Sequence, residues 1–194
     1  QYLFRIDGIE GNDLIANQPM RLEFPIVDAP FVKRVKTIQH SGIEDLTLVQ
    51  TENLWIHSVW LYFTWNCWAR NVTARICGRN PVYGYYAKWC EIRDCVFDDA
   101  WFKGGGGTAY GGWEQCSDCL MDGIETWNLR HAPLFQWAGA GNVIRNGVFH
   151  NSDAQWHSGW TNENLMELCT ITAWQGNGAY GYGIPPRFST SRFS

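Results

Sequence analysis

A chain of 194 residues with 45% hydrophobic content holds enough apolar mass for one domain with a continuous core. Its formal net charge of −4 gives no basic footprint for nucleic acid, and no apolar run reaches a membrane-spanning length. Twelve tryptophans far exceed ordinary usage and point either to core packing or to a sugar-binding surface. No signal peptide is legible, and a start at Gln1 rather than Met leads us to expect a processed chain or a piece of a longer one.

The first 40 residues have their own texture. Tyr2-Leu-Phe-Arg-Ile6 and Leu14-Ile15 flank Gly8 and the turn Gly11-Asn12-Asp13, a β-hairpin pattern. Arg21-Leu-Glu-Phe24 alternates, and then Pro25 and Pro30 break regularity. From residue 41 a different grammar begins. The segments Ile43-Glu-Asp-Leu-Thr-Leu48, Ala69-Arg-Asn-Val-Thr-Ala74, Cys90-Glu-Ile-Arg-Asp-Cys-Val-Phe97, Leu120-Met-Asp-Gly-Ile-Glu125, Ile144-Arg-Asn-Gly-Val-Phe149 and Met166-Glu-Leu-Cys-Thr-Ile171 are variants of one phrase. Aligned on Asp45, Asn71, Asp94, Asp122, Asn146 and Leu168, they recur every 22 to 28 residues or so, roughly the period of a repeat array.

Two residues before each aligned position stands an apolar side chain: Ile43, Ala69, Ile92, Leu120, Ile144, Met166. One and three residues after it come Leu46/Leu48, Val72/Ala74, Cys95/Phe97, Gly147/Phe149 and Cys169/Ile171; the copy at Gly123/Glu125 breaks the pattern. Five of the six aligned positions hold Asn or Asp, residues that tolerate a left-handed bend. Each copy therefore reads as strand, one-residue bend, strand. Stacked, the bends form a ladder with a spacing of about 4.8 Å. An ordinary sandwich with regular turns is the competing architecture. A helical solenoid fits less well, because the segments are short, β-branched and punctuated by glycine. Stacking makes Cys67 and Cys90 neighbours, and lines up Arg70, Arg93 and Arg145 in a solvated file that Met121 interrupts.

The remaining stretches are connectors. Thr51 to Asn66 is crowded with Trp55, Trp60, Tyr62, Phe63 and Trp65, and Trp55 to Val59 could form a strand on another face. Asn71-Val-Thr73 fits the glycosylation acceptor pattern, but a bend residue inside the array is expected to be unmodified. Gly104 to Gly107, with Gly111-Gly112, lacks the Lys-Ser/Thr and helix of a phosphate loop and reads as a mobile loop beside a groove. Seven cysteines leave at least one thiol free. Cys116-x-x-Cys119 has no second pair at zinc-ligand spacing, so stacked buried thiols are expected, with a Cys67–Cys90 bridge if the chain is secreted. After Trp174, the turn-rich Gly176 to Gly183, Pro185-Pro186 and the tail abandon the repeat, leaving that end truncated or covered by a partner copy.

A second pattern follows three of the copies: Asp99-Ala-Trp-Phe-Lys103, His131-Ala-Pro-Leu-Phe-Gln136 and Asp153-Ala-Gln-Trp-His157. If the alanines stack, Asp99, His131 and Asp153 form one file. Lys103, Gln136 and His157 then lie further along the same face, with Asp98 and His150 close by. Trp101, Trp137, Trp156 and Trp160 frame it as platforms for sugar rings. Two carboxylates beside a histidine shift one another's pKa values toward neutral-pH acid–base work. The file could instead hold Ca²⁺ through Asp99 and Asp153, with Lys103 or His157 as the base of a β-elimination. A hydrolase would use Asp98 or Asp99 with Asp153 as acid and base. The competing account is that these polar residues only ladder with one another, and that His131 before Ala-Pro is a satisfied turn histidine.

Strand–Asn bend–strand copies at this period, opening on Gly42-Ile-Glu-Asp-Leu-Thr-Leu48, resemble the right-handed parallel β-helix of the pectin-lyase-like superfamily over roughly residues 40–175. The resemblance implies an all-β solenoid of about six rungs at 41–184, a small N-terminal β-cap at 1–40 that covers the open end, and an irregular tail at 185–194. Neither the separated Asp motifs and Gly-His-Gly of polygalacturonases nor the aspartate cluster and arginine motif of calcium-dependent pectate lyases occurs here, so no family catalytic residue transfers. The expected function is that of a secreted, extracellular or periplasmic protein. It would bind an extended, acidic polysaccharide on one face and cleave it, as lyase or glycoside hydrolase, at Asp99/His131/Asp153. The alternative is a non-catalytic β-helix that binds carbohydrate or self-associates through its exposed ends.

Overall fold

The computed structural model describes residues 2–157 and 159–172; the turn-rich stretch 176–183 and the tail expected at 185–194 lie outside them. The chain is a parallel β-solenoid of about six turns. The first rung is β3 (Ile38–Gln39) and β4 (Gly42–Val49), following the antiparallel hairpin β1 (Ile6–Glu10) and β2 (Asp13–Ala16). The second is β5 (Val59–Trp65) and β6 (Trp68–Cys77). From the third rung the second sheet splits at its bend. That rung comprises β7 (Val82–Lys88), β8 (Glu91–Arg93) and β9 (Val96–Ala100), and the fourth β10 (Tyr110–Glu114), β11 (Leu120–Asp122) and β12 (Glu125–Trp127). The fifth comprises β13 (His131–Gln136), β14 (Val143–Arg145) and β15 (Val148–His150), and the sixth β16 (Gln155–His157), β17 (Leu165–Glu167) and β18 (Thr170–Thr172). Strands β3, β5, β7, β10, β13 and β16 make a six-stranded parallel face, called face B below; the other rung strands make a bent sheet of ten. Among the described residues a single 3-10 turn, Ile26–Asp28, is the only helix, and no helix is long and apolar enough to cross a membrane.

The bend inside the ten-stranded sheet is one left-handed residue per rung: Asp45, Asn71, Asp94, Gly123, Asn146 and Leu168, with φ between 51° and 67°. The fourth copy is thus set one residue later than the sequence alignment on Asp122. A slip of one residue inverts every side chain, and the corrected register restores the apolar columns. Met121 replaces Leu120 in the inward file with Ile92 and Ile144, and Ile124 and Thr126 replace Gly123 and Glu125. Asp122, not Met121, enters the arginine file. Its carboxylate takes bonds from Arg93 (3.2 Å) and Arg145 (2.8 Å), while Glu44 pairs with Arg70 (2.7 Å). Burial opposes ionisation of Asp122, but Arg145, Asn146 and Arg93 outweigh it and hold the carboxyl below the usual range. Gly123 eases its corner, since a Cβ there would displace the Asp94 carboxylate.

A second left-handed column, His40, Asn66, Trp89, Asp118, Gly141 and Glu163, turns the chain from face B into the bent sheet. Just inside it, Cys67, Cys90, Cys119, Asn142 and Asn164 stack as a polar spine. The Cys67 N–H donates to Cys90 Sγ (3.4 Å), Cys90 N–H to Cys119 Sγ (3.5 Å), Cys119 N–H to Asn142 Oδ1 (3.0 Å) and Asn142 N–H to Asn164 Oδ1 (2.9 Å). All seven cysteines are buried free thiols, so Cys67 and Cys90 are neighbours without a bridge. Burial pushes the Cys77 thiol up to about 12 and that of Cys95 up to about 11.

The N-terminal segment does not lie over the open first rung as a cap. It runs along the flank, where the Arg21 guanidinium bridges Asp118 and Glu163 across the fourth and sixth rungs. Gly141 between them leaves the room, since a Cβ there would strike the guanidinium. Gln18 Nε2 adds a bond to Asp118 (3.2 Å), and Asp118 also neutralises the fully buried Lys88 (2.6 Å) between the rings of Trp65 and Trp89. Burial would raise the Asp118 carboxyl; the Lys88, Gln18 and Arg21 contacts outweigh it and keep it low.

Large and small side chains alternate along the interior. Gly84 makes space for the buried Trp113 indole of the next rung, so a methyl at this position overlaps the ring. Gly84→Ala is expected to cost about 1–3 kcal/mol in urea unfolding, while Gly104→Ala, which meets no atom within 4 Å, stays within about 0.5 kcal/mol of wild type. Because every thiol is buried with free sulfur, a native-state thiol titration should label fewer than one cysteine per chain, and an unfolded one all seven.

Candidate functional site

Face B supplies the densest set of chemistry-bearing side chains. In its strands alternate residues point outward. Leu61, Gly84, Trp113, Phe135 and Trp156 form the inward file, so the file Tyr62, Tyr85, Glu114, Gln136, His157 points out. Beside it Trp60 stands over Tyr83. Trp60 and Tyr62 stack at 4.3 Å and 14°, and Tyr62 and Tyr85 at 5.5 Å and 15°. Phe63 and Tyr86, on a further left-handed column, continue the aromatic patch at 4.9 Å. Trp60 and Tyr62 remain 46% and 38% exposed, enough for a ligand to reach them.

Glu114 sits where this patch meets the polar half of the file. Its Oε2 accepts from Tyr83 Oη (2.8 Å) and Gln136 Nε2 (2.6 Å). Burial raises the carboxyl above its ordinary value despite those two donors. One rung beyond Gln136, His157 is pushed the other way, by burial first and then by His131 and Arg130, so its imidazole stays neutral below the usual histidine range. His131 is fully buried and bonded through Nδ1 to Asp153 Oδ1 at 2.7 Å, with the Tyr110 ring 4.9 Å away. His57 stacks on Tyr83 and is pushed down to about 4 by burial and by Arg79. Gln136 Oε1, His131 Nε2, His157 Nδ1 and both amide atoms of Gln155 are buried with no hydrogen-bond partner among the described residues. That is a concentration of unused hydrogen-bonding capacity on one face, where native interiors leave little.

The residues proposed from sequence separate into five groups. His131, Asp153, His157 and the exposed Trp137 gather on face B, with Trp137 and His157 rings 6.4 Å apart. Largely exposed Trp160 lies on the turn after β16. Asp99 does not stack with His131. It belongs to a third left-handed column with Ile76, Asn128 and Asn151, accepts from the Ala100 N–H (2.7 Å) and pairs with Lys103. Ala100 pairs with Cys77, at the end of the bent sheet, whereas Ala132 follows the first residue of β13. The chain makes a long excursion after Ala100 and only a short turn after Asn128, so equal spelling lands on different parts of the rung. Trp101 goes with Asp99, its indole donating to Gln50 O (3.1 Å). Asp98 and His150 lie on the bent sheet, His150 stacked on Trp127 at 3.7 Å and 3.4 Å from Glu125. Trp156 faces the core against Phe135 (5.5 Å) and is not a sugar platform. Asp99 and Asp153, the pair offered for Ca²⁺, do not share a position on the rung: Asp99 is itself in the left-handed column, whereas Asp153 lies two residues past that column's Asn151 and bonds His131. Among the described residues no group of three or more His, Cys, Asp or Glu could hold a metal ion.

Glu114, Tyr83, Tyr85, Trp60 and Tyr62 carry the site and were not in the sequence-derived set. Their signal was the alternation Trp60-Leu-Tyr62, Tyr83-Gly-Tyr85 and Gly112-Trp-Glu114 at equivalent strand positions. No protein-family model, curated protein or solved structure matches this chain.

Because folding raises the Glu114 carboxyl, the folded chain holds that proton more tightly than the unfolded one. The associated stability is full below the ordinary carboxylate range and is lost as pH rises through the raised value. Glu114→Gln keeps an oxygen that can accept from Tyr83 and Gln136 but has no charge to desolvate. Its Tm relative to wild type is expected to rise between pH ~4.5 and ~8, read by paired thermal melts.

Proposed function

We propose that the protein binds an extended, acidic polysaccharide on face B and cleaves it by β-elimination. The observation that carries this reading is Glu114, a carboxyl raised by burial at the junction of an exposed aromatic patch and a file of hydrogen-bonding side chains. Aromatic rings take up the CH faces of sugars, and the exposed Trp60 and Tyr62 rings are placed to do so. The likeness of the repeat to the pectin-lyase-like superfamily supports the same reading, and with it a secreted, extracellular or periplasmic location where such glycans occur.

In this scheme His157, kept neutral, takes the proton from the carbon beside the uronate carboxylate. The bond from the next carbon to the glycosidic oxygen breaks, a carbon–carbon double bond forms, and protonated Glu114 gives its proton to the leaving oxygen. Asp153 holds His131 in one orientation beside Tyr110. Hydrolysis is the runner-up, using Glu114 as acid with a water activated on the opposite side of the sugar. A binding-only role is favoured by one feature, the engagement of Glu114 Oε2 by two donors in the resting protein.

Incubation with a panel of uronans, followed by ultraviolet absorbance of unsaturated ends and by reducing-end release, separates the three. Elimination gives both signals, hydrolysis only the second, binding neither. Glu114→Gln and His157→Ala should each lower kcat by about 10²–10⁴-fold, and Trp60→Ala should weaken binding by roughly tenfold. The kcat/KM profile should be bell-shaped. Its acid limb reflects His157 and falls below the ordinary histidine value; its alkaline limb reflects Glu114 and lies above the ordinary glutamate value. Unchanged turnover in both variants would remove the catalytic reading.

A further inference from the structure

We infer that the open first rung is an interface, and that its occupant is a second copy of this chain, whose residues 26–37 lie across it. In a parallel solenoid each rung covers the one before, but among the described residues β3 and β4 pair on one side only, with β5 and β6. The inward side chains of this rung, Ile43, Leu46 and Leu48, therefore stay partly exposed, whereas Ala69, Val72 and Ala74 beneath them are fully buried. An eight-residue edge strand with free backbone groups and an uncovered apolar end is a surface that native chains pair or shield. The hairpin does not shield it, because Gln18 and Arg21 are tied to the flank at Asp118 and Glu163.

The segment that leads into the rung has the complementary chemistry. Ile26, Val27, Phe31 and Val32 are 91%, 88%, 86% and 73% exposed, a run of large apolar side chains with no cover. Residues 26–37 carry Lys33, Arg34 and Lys36 against Asp28, a net of 3 − 1 = +2, while residues 38–52 carry Glu44, Asp45 and Glu52, a net of −3. Glu44 and Asp45 are partly engaged already, by Arg70 and Asn71 on the next rung, and Glu52 is exposed. A basic apolar arm and an acidic apolar rung on one chain meet twice in a two-fold pair, each arm covering the partner's rung. Such an isologous contact closes at the dimer and leaves no free end to propagate. The contact lies at the first rung, beside the Trp60–Tyr62 end of face B, and its test reads mass rather than glycan binding or turnover, so the two readings fail separately.

Light scattering over a dilution series tests it. The mass should rise from the 22.3 kDa of one chain toward twice that value as concentration increases. Phe31→Glu/Val32→Lys alters only exposed positions, so circular dichroism should be unchanged while dimerisation weakens on the order of a hundredfold. Reversing Lys33, Arg34 and Lys36 to Glu should weaken it as well, and adding Asp45→Lys and Glu52→Lys should restore it. A wild-type chain that stays monomeric at every concentration overturns the inference. So does a dimer indifferent to the arm substitutions.

Discussion

Everything in this solenoid depends on single residues held in the left-handed region and stacked rung over rung. The conformation costs a non-glycine residue on the order of 1–3 kcal/mol, yet Leu168, Trp89, Tyr86 and Trp137 adopt it alongside Asn and Asp. What over-determines it is the parallel register on both sides of each corner. A residue that left the region would break the ladders of two neighbouring rungs and turn its inward side chains to solvent. Side chains at or beside the corners add cross-rung bonds, as between Asn71 Nδ2 and Asp45 Oδ1 or Asn146 Nδ2 and Asp122 Oδ1, both 2.7 Å. Each contributes about 1 kcal/mol, which is modest, but together they select one register over its neighbours.

That same stacking builds face B. A column of outward residues brings Tyr62, Tyr85, Glu114, Gln136 and His157 to adjacent rungs although long stretches of chain separate them. Opposite shifts of Glu114 and His157 then follow from one cause, partial burial, acting on groups of opposite charge type. The Cys–Asn spine and the Lys88–Asp118 pair use the same geometry for structure alone. There the polar groups are satisfied by neighbours, whereas on face B several are left over. What sets face B apart as a candidate ligand surface is the exposure of Trp60 and Tyr62 beside those buried groups.

Much of the fold was legible because repetition states the same physical requirement six times. Apolar pairs around an Asn/Asp bend, at a constant offset, leave little room for any architecture but stacked coils. The fourth copy misled because Asp122 matches the residue preference of the corner, while the true corner is Gly123. Glu125 in the apolar column was the mark of the slip, and shifting by one residue puts Ile124 and Thr126 inside. The proposed catalytic file failed for a related reason. Matching Ala in three phrases ignored the unequal excursions between rungs, so Asp99, itself a corner residue, was grouped with residues two or three positions past the equivalent corners Asn128 and Asn151.

The amino-acid sequence alone determined the strand–bend–strand period, the apolar interior, the adjacency of Cys67 and Cys90, and a charged arginine file, because each is a local pattern repeated at fixed spacing. Only the tertiary structure decided which polar residues share a face. Register between rungs depends on how each connector is spent, and the pKa of Glu114 depends on what covers it. Neither quantity is written in the neighbourhood of the residue itself.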